Sequence, residues 1–159
     1  MLVSVQSFIS TTAGTLDSKG RVCIPAAYRQ ILAAQNTAGI YLCPSFSSPS
    51  IEAFGADVLA KFHEQLAAQD PFFSPDFNDK AFAVVSMTQL LPLDENGRVR
   101  LPDEMIAHAG LKDRVLFVGM ATKFRIWEPG RFEEIRAAHL KRALETFNKA
   151  AETKPGEPA

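Results

Sequence analysis

Aspartate and arginine four residues apart are the side chains of this sequence best placed to do chemistry, and they occur twice. The pattern Leu-Asp-x-x-Gly-Arg-Val-x-(Ile/Leu)-Pro stands at residues 16–25 and again at 93–102, an offset of 77 residues. Arginine carries a planar fork of donors that pairs with phosphate oxygens or with the edge of a guanine. The same two side chains could also form a surface ion pair, worth only about 0–1 kcal/mol. The repeat leaves both interpretations open, a hairpin steadied by ion pairs and a binding edge.

Each copy of the motif predicts a tight turn followed by a strand. Asp at the first position and Gly at the fourth are typical of a type I turn with a bulge, because Gly accepts a positive φ. We expect Asp17 and Asp94 to accept backbone N–H groups within their own turns, which Gly20 and Gly97 close. Side chains then alternate along the strand. The predicted core side holds Val22, Ile24, Val99 and Leu101, and the predicted solvent side holds Arg21, Cys23, Arg98 and Arg100.

The charge of the chain sets a condition on any nucleic-acid hypothesis. The chain has 17 Lys and Arg against 18 Asp and Glu, a net charge of −1, whereas affinity for DNA comes largely from neutralised phosphates. Segment 16–31 holds three cations and one carboxylate, a local excess of +2, while segment 93–104 holds two arginines and four carboxylates, a local charge of −2. The first copy should therefore attract phosphates more strongly. Any attraction by the second copy depends on where its arginines point.

The flanks of the motif repeat as well, so the chain consists of two similar halves. Each half has an extended stretch, the motif, a short helix that opens with Pro, two further strands and a closing helix. In the first half these predicted elements are 7–12, 25–34, 40–43, 50–54 and 55–69, and in the second half 81–91, 102–109, 115–118, 123–127 and 130–149. The predicted organisation is a first repeat at 7–69, a connecting loop at 70–80, a second repeat at 81–149 and a flexible tail at 150–159.

Two such halves cannot each bury a core, so we expect them to pack, intertwined, as one pseudo-twofold α+β unit. The three phenylalanines of 70–80 suggest that the connecting loop is held against the body. The last helix carries an apolar stripe, with Phe132, Ile135, Leu140, Ala143, Leu144 and Phe147 at helical spacing. We expect this stripe to pack against the sheet, or else to meet another subunit.

The doubled motif and its surroundings resemble the MraZ family of bacterial transcriptional regulators. The resemblance covers roughly residues 8–135. It rests on Leu-Asp-Ser-Lys-Gly-Arg-Val-x-Ile-Pro-Ala-x-Tyr-Arg, the second Leu-Asp-x-x-Gly-Arg-Val-x-Leu-Pro, and the later Ala-Gly-Leu, Val-Gly and Ile-Trp. It implies two AbrB-like (swapped-hairpin) repeats that form one β-barrel-like domain with flanking helices. It also implies assembly into a ring-shaped homo-oligomer.

The resemblance further implies a DNA-binding function in the cytoplasm, in association with the nucleoid. Such a protein binds repeated short elements upstream of the cell-division and cell-wall gene cluster, its own promoter included, and usually represses it. Its expected partners are double-stranded DNA and other copies of itself, with no cofactor, metal, membrane or small-molecule substrate. Carried over by position, the DNA contacts are Lys19, Arg21, Arg29, Arg98 and Arg100, and the turn-shaping residues are Asp17, Gly20, Asp94 and Gly97. Lys19 and Arg29 would contact phosphates.

Two other classes of function are weighed against this one. For an enzyme, the sequence lacks GxSxG, HExxH, P-loop and GxGxxG motifs, and its three histidines are scattered. An interaction scaffold or antitoxin-like partner on the same fold is the stronger alternative, since Trp127 and the Phe-rich helices could serve it. A steep fall of DNA affinity with salt would separate the two, because a scaffold has no such DNA signal.

The remaining sequence signals concern thiols and location. Cys23 and Cys43 do not form a CxxC pair, and we expect two reduced thiols packed as small apolar residues. No apolar run reaches the roughly 18–20 residues that span a bilayer. The amino terminus has no positive region followed by a long apolar stretch, so we expect no secretory signal.

Overall fold

The computed structural model of the chain describes residues 6–153. Within them lie eight β-strands, five α-helices and a π-helical segment, Ala81–Ser86. The strands are β1 (Thr11–Thr15), β2 (Arg21–Cys23), β3 (Ile40–Pro44), β4 (Ile51–Phe54), β5 (Gln89–Leu91), β6 (Arg98–Arg100), β7 (Arg114–Gly119) and β8 (Phe124–Trp127). The helices are α1 (Ala26–Ala34), α2 (Ala56–Ala67), α3 (Pro75–Lys80), α4 (Asp103–Ala109) and α5 (Pro129–Glu152). The chain divides into two compact units, one ending at Glu128 and the other beginning at Pro129.

Neighbouring strands of the main sheet come alternately from different halves and from the same half. Six strands form one antiparallel sheet in the order β1-β7-β8-β4-β3-β5, and β2 pairs with β6 in a separate two-stranded ribbon. When each strand is exchanged for its counterpart in the other half, the six-stranded order is the same read from the opposite edge. The mixed helix and sheet class is confirmed. The barrel-like closure is wrong, because the sheet is open, with β1 and β5 at its edges.

The hydrophobic core is shared between the halves. The inner face of the ribbon contributes Val22 and Val99, and the strands run on into Ile24 and Leu101, all at most 1% exposed. Burying such a side chain contributes roughly 1.5–3 kcal/mol. The predicted alternation along both strands is thereby confirmed. The ribbon is fastened to the body through its apolar face, which leaves the opposite face outward.

The helices behind the ribbon begin where the sequence predicts. Pro25 is the N-cap of α1 and Pro102 is the N-cap of α4. A residue at that position needs no backbone N–H, and the fixed φ of proline is compatible with helix entry. Tyr28 on α1 is buried and donates its hydroxyl to the carbonyl of Ile9 at 2.7 Å. Each motif is therefore continued directly by a helix, and Tyr28 anchors the first of these helices.

The segment between the two halves differs most from the prediction. Residues 81–85 look like a strand because they are aromatic and β-branched, but Ala81–Ser86 is π-helical and only Gln89–Leu91 forms a strand. A helix also forms within 70–80, where we expect a loop. Ser74 caps it by accepting the N–H of Phe77 at 3.1 Å, and Pro75 follows at the first helical position. Once started by this cap, the helix continues into the apolar residues, which overrides their strand preference.

Three smaller expectations are also corrected. Phe72 and Phe73 are exposed, so they do not hold the connection against the body. The first strand runs from Thr11 to Thr15, later than the extended stretch predicted at 7–12. Cys43 is a buried free thiol as expected, whereas Cys23 is an exposed one, because it lies on the outer face of β2.

Within the described residues, helix α5 makes up nearly all of the second unit. Leu140, Leu144 and Phe147 on it are 49%, 63% and 71% exposed, although their spacing predicts a packed face. The helix continues to Glu152, which is three residues into the predicted tail. The rest of that tail from 154 onward, and residues 1–5 with the expected absence of a secretory signal, lie outside the described residues. None of the helices in residues 6–153 combines the length and apolar character that a membrane span requires.

Candidate nucleic-acid interface

The two copies of the motif lie side by side in the ribbon. Strands β2 and β6 are antiparallel, and Val22 is paired with Val99 at the centre. On the outer face, Arg21 is opposite Arg100 and Cys23 is opposite Arg98. These four residues are partly or fully exposed. Arginines that are about 77 residues apart in sequence thus share one face of one short ribbon.

The first turn is organised by the carboxylate of Asp17. Its Oδ1 accepts the backbone N–H groups of Lys19 and Arg21, both at 2.9 Å, and its Oδ2 accepts Nε of Arg21 at 2.8 Å. The backbone closes with Gly20 N–H donating to the carbonyl of Asp17 at 3.0 Å. Gly20 has φ of +76°, a conformation that costs other residues roughly 1–2 kcal/mol. Aspartate and glycine are therefore both required by the turn itself.

The second turn has the same backbone and a looser side-chain pair. Oδ1 of Asp94 accepts the N–H groups of Asn96 at 2.8 Å and Arg98 at 2.9 Å, and Gly97 has φ of +77°. Nε of Arg98 lies 3.6 Å from Oδ2 of Asp94, an ion pair rather than a hydrogen bond. The guanidinium of Arg98 is accordingly held less tightly than that of Arg21.

Each turn is bonded to the strand that leaves the other turn. Ile24 N–H donates to the carbonyl of Gly97 at 2.9 Å, and Leu101 N–H donates to the carbonyl of Gly20 at 2.8 Å. A weaker contact joins Sγ of Cys23 to the carbonyl of Asn96 at 3.4 Å. The two turns and the ribbon are therefore one hydrogen-bonded unit.

Hydrogen bonds lower the pKa of both turn carboxylates below the ordinary 3.8. For Asp17 the main cause is the backbone N–H of Arg21, and for Asp94 it is the backbone N–H of Arg98. The charge of Arg21 acts on both carboxylates in the same direction. Both groups are ionised at neutral pH, so each turn presents an arginine beside a permanent negative charge.

The other predicted contact residues surround this unit unevenly. Lys19 is exposed at the tip of the first turn. Arg100 has a 70% exposed side chain and lies 3.9 Å from the carboxylate of Asp103. A surface depression beside the first turn is lined by Asp17, Ser18, Lys19, Gly20, Arg21, Arg100, Asp103 and Ile106. Three of these side chains are cationic and two are anionic, so the depression carries a small net positive charge.

Arg29 is placed differently from the other candidates. It is half-buried on α1, and its Nε donates to the carbonyl of Ile24 at 3.0 Å. Its side chain occupies the space above Gly97, where an added Cβ would lie 2.5 Å from Cδ and Nε. Arg29 belongs to the first half of the chain and contacts the turn of the second half.

The structure brings all nine predicted residues to the ribbon, its two turns and the first helix behind it. Sequence reasoning missed Asp103, whose spacing of three residues from Arg100 was the available signal, and Ile106, which lies at the offset of 77 from Arg29. In the part of the chain that the structure describes, no three His, Cys, Asp or Glu side chains group in a way that could hold a metal ion.

Comparison with known proteins gives consistent results. The sequence model of a family described as "MraZ protein, putative antitoxin-like" matches residues 85–154. A protein of Azorhizobium caulinodans is 42% identical over 138 residues, which cover 87% of this chain and 85% of that protein. One of Gluconacetobacter diazotrophicus is 40% identical over 82% of this chain and 84% of its own length. One of Beijerinckia indica is 35% identical over 95% of both chains.

All three relatives carry the name "Transcriptional regulator MraZ", which names a regulator and no catalytic activity. They match most of the chain at well above 30% identity and over most of their own length. The chain therefore belongs to the MraZ family.

Proposed function

We propose that this protein is a transcription regulator that binds double-stranded DNA through the outer face of the β2–β6 ribbon and its two turns. One observation carries the proposal: the two motif copies pair, so that Arg21, Arg98 and Arg100 lie on one outward face. A two-stranded ribbon fits the major groove of DNA. The residues that meet DNA in this proposal are those three arginines with Lys19.

The paired carboxylates give the arginines a defined orientation before DNA arrives. Because Nε of Arg21 is bonded to Asp17, the terminal amino groups of its guanidinium are the ones that would meet a phosphate or a guanine. A side chain that is ordered beforehand loses less conformational entropy on binding. Asp17 and Asp94 with Gly20 and Gly97 thus serve DNA binding by shaping the turns.

The proposal includes assembly into a ring of several copies. The net charge of −1 and a few cations per ribbon give one copy little attraction for DNA, so several linked ribbons on repeated elements would be needed. Exposed apolar side chains accompany both edge strands of the sheet: Ile9 lies two residues before β1, and Leu90 lies within β5. Two different apolar edges suit head-to-tail contact, which closes into a ring when the rotation permits.

The finer assignments follow the family resemblance. They comprise the AbrB-like swapped-hairpin repeats at 7–69 and 81–149, for which the symmetric order of the strands is the support. They also comprise action in the cytoplasm at the nucleoid, on short repeats upstream of the division and cell-wall genes and of the protein's own gene. The expected effect there is repression. A footprint on the DNA upstream of its own gene would locate those repeats.

The deciding experiment compares two arginine variants with a charge-matched control. Arg21→Ala and Arg98→Ala are each expected to weaken binding to that upstream DNA by roughly 5–150-fold, the range for losing one specific contact. Lys61→Ala removes a cation from α2, outside the ribbon, and should leave affinity within about twofold. If both arginine variants, folded and assembled as wild type, bind DNA with unchanged affinity, the proposal is wrong.

A second candidate is a non-catalytic assembly scaffold or antitoxin-like interaction protein. The word "antitoxin-like" in the description of the matching family favours it. Salt dependence separates the two functions. DNA binding through phosphates predicts that log K falls by about 0.9 for each phosphate neutralised as log salt rises. A protein with no measurable, salt-dependent affinity for the upstream DNA would support the scaffold.

A further inference from the structure

The two turns have the same backbone conformation, but different side chains pack against them. The residue on the following helix that lies against the opposite turn is Arg29 in the first half and Ile106 in the second, at the same offset of 77 as the motif. A Cβ on Gly97 would overlap Arg29, whereas a Cβ on Gly20 would lie 3.6 Å from Cδ1 of Ile106, an ordinary contact. Arg29 is thus in much closer contact with its turn than Ile106 is.

Arg29 also bonds to the residue that fastens the second turn. Its Nε donates to the carbonyl of Ile24, and the N–H of Ile24 donates to the carbonyl of Gly97. Ile106 has no polar atom in its side chain and cannot make an equivalent bond. Arg29 therefore supports the second turn in two ways, by packing on Gly97 and by bonding to Ile24. Ile106 gives the first turn only the packing contact.

Arg29 supports the turn whose own Asp–Arg pair is the weaker of the two. In the first turn the guanidinium of Arg21 is hydrogen-bonded to Asp17 at 2.8 Å, while in the second turn Arg98 and Asp94 are 3.6 Å apart. A rigid backbone is therefore the main constraint on the position of Arg98. Holding Gly97 in place holds the residue directly after it.

We infer that Arg29 is a positioning residue, which acts on DNA through the turn 94–98 and Arg98 rather than by a phosphate contact of its own. The inference rests on the proposed function, since it assigns Arg29 a part in the same interface. The first half of the chain thereby controls the binding geometry of the second half. In the other direction, Ile106 of the second half contacts the first turn only through van der Waals contact.

A double-mutant cycle tests this coupling. Arg29→Met keeps an unbranched side chain above Gly97 and removes the Nε donor and the charge. It should weaken DNA binding about fivefold in wild type and to the same extent in the Arg21→Ala background, yet by less than about twofold in the Arg98→Ala background. Ile106→Met changes the matched position and should show no coupling to Arg98. Equal losses in both arginine backgrounds, or no loss in wild type, would overturn the inference.

The salt slope distinguishes positioning from a direct phosphate contact. A lost phosphate contact lowers the slope of log K against log salt by about 0.9, and Arg29→Lys, which keeps the charge, would restore it. If Arg29 acts only through Arg98, its removal lowers the slope by no more than Arg98→Ala does and leaves the slope unchanged in the Arg98→Ala background. Lysine does not rescue binding, because it has a methylene group where arginine has its Nε donor. A slope that falls in Arg29→Met and recovers in Arg29→Lys would contradict the inference.

A measurement without DNA keeps this test separate from the proposed function. Amide hydrogen exchange at Ile24, which donates to Gly97, should quicken about fivefold in Arg29→Met, as expected for a weakened hydrogen bond. Exchange at Leu101, which donates to Gly20, is the internal control and should not change. Equal changes at both amides, or none at Ile24, would refute the positioning role. If only the proposed DNA-binding function is wrong, the Arg21→Ala and Arg98→Ala variants bind DNA normally while the exchange at Ile24 still quickens in Arg29→Met.

Discussion

The turns 17–21 and 94–98 are nearly identical in backbone and different in almost everything around it. Their closing Gly N–H bonds are both 3.0 Å, and the two glycines differ by one degree in φ. The lysine of the first turn corresponds to Asn96 in the second, and the guanidinium that is hydrogen-bonded in the first is only ion-paired in the second. The comparison teaches that Asp and Gly determine the shape of the turn, while its charge and support are free to vary.

The largest expected effect is on the free energy of unfolding and concerns the core residues that are equivalent in the two halves. Ile24 and Leu101 are equivalent and both fully buried. Truncating either to Ala should lower the free energy of unfolding by about 2–5 kcal/mol through lost burial and a cavity. Chemical denaturation of Ile24→Ala and Leu101→Ala measures both. A cost below about 1 kcal/mol in one but not the other would break the equivalence of the two halves in the core.

A smaller difference should appear at the two glycines. Gly20→Ala places a Cβ at positive φ, which costs roughly 1–2 kcal/mol. Gly97→Ala carries the same cost and must also displace the Arg29 side chain from its bond to Ile24, which adds about 1 kcal/mol. The unfolding free energies of the two variants give the difference. Combining Gly97→Ala with Arg29→Ala should remove the excess, and an excess that persists would show that Arg29 is not its cause.

Exchanging the tip residues should shift electrostatics and leave the fold intact. Lys19→Asn is expected to lower the slope of log K against log salt by about 0.9, and Asn96→Lys to raise it by a similar amount. Titrations of upstream DNA at several salt concentrations report the slope. A response in the first turn only would mean that the second turn lies away from the phosphates.

The smallest effect is the dependence of stability on acid. The folded pKa values of Asp17 and Asp94 are lowered, so each stabilises the fold above the ordinary 3.8, and this contribution is lost as pH falls through the lowered value. Asp17→Asn and Asp94→Asn should each flatten the loss of stability below about pH 4. Thermal unfolding across that range tests this. A variant as acid-sensitive as wild type would show that its carboxylate is not stabilised in the fold.

Local sequence patterns predicted the parts of the site that depend on local physics. Alternation placed Val22 and Val99 inward and the arginines outward, and Asp and Gly predicted the turns, because each of these depends on near neighbours in the chain. The contact of Arg29 with Gly97 joins residues 68 positions apart, and no local pattern contains it. The π-helical segment 81–86 was missed for a related reason, since a capped helix before it overrides its strand composition.

The pairing of Val22 with Val99 has a consequence for synthesis. A strand that the ribosome completes early has no partner until 77 further residues have been made, and closing so long a loop carries an entropic cost before any ribbon bond forms. The arginine face does not exist in a nascent or truncated chain that stops short of β6. If the ribbon binds DNA as proposed, a fragment that ends before β6 lacks the complete arginine face and should not compete with the whole protein for the same sites.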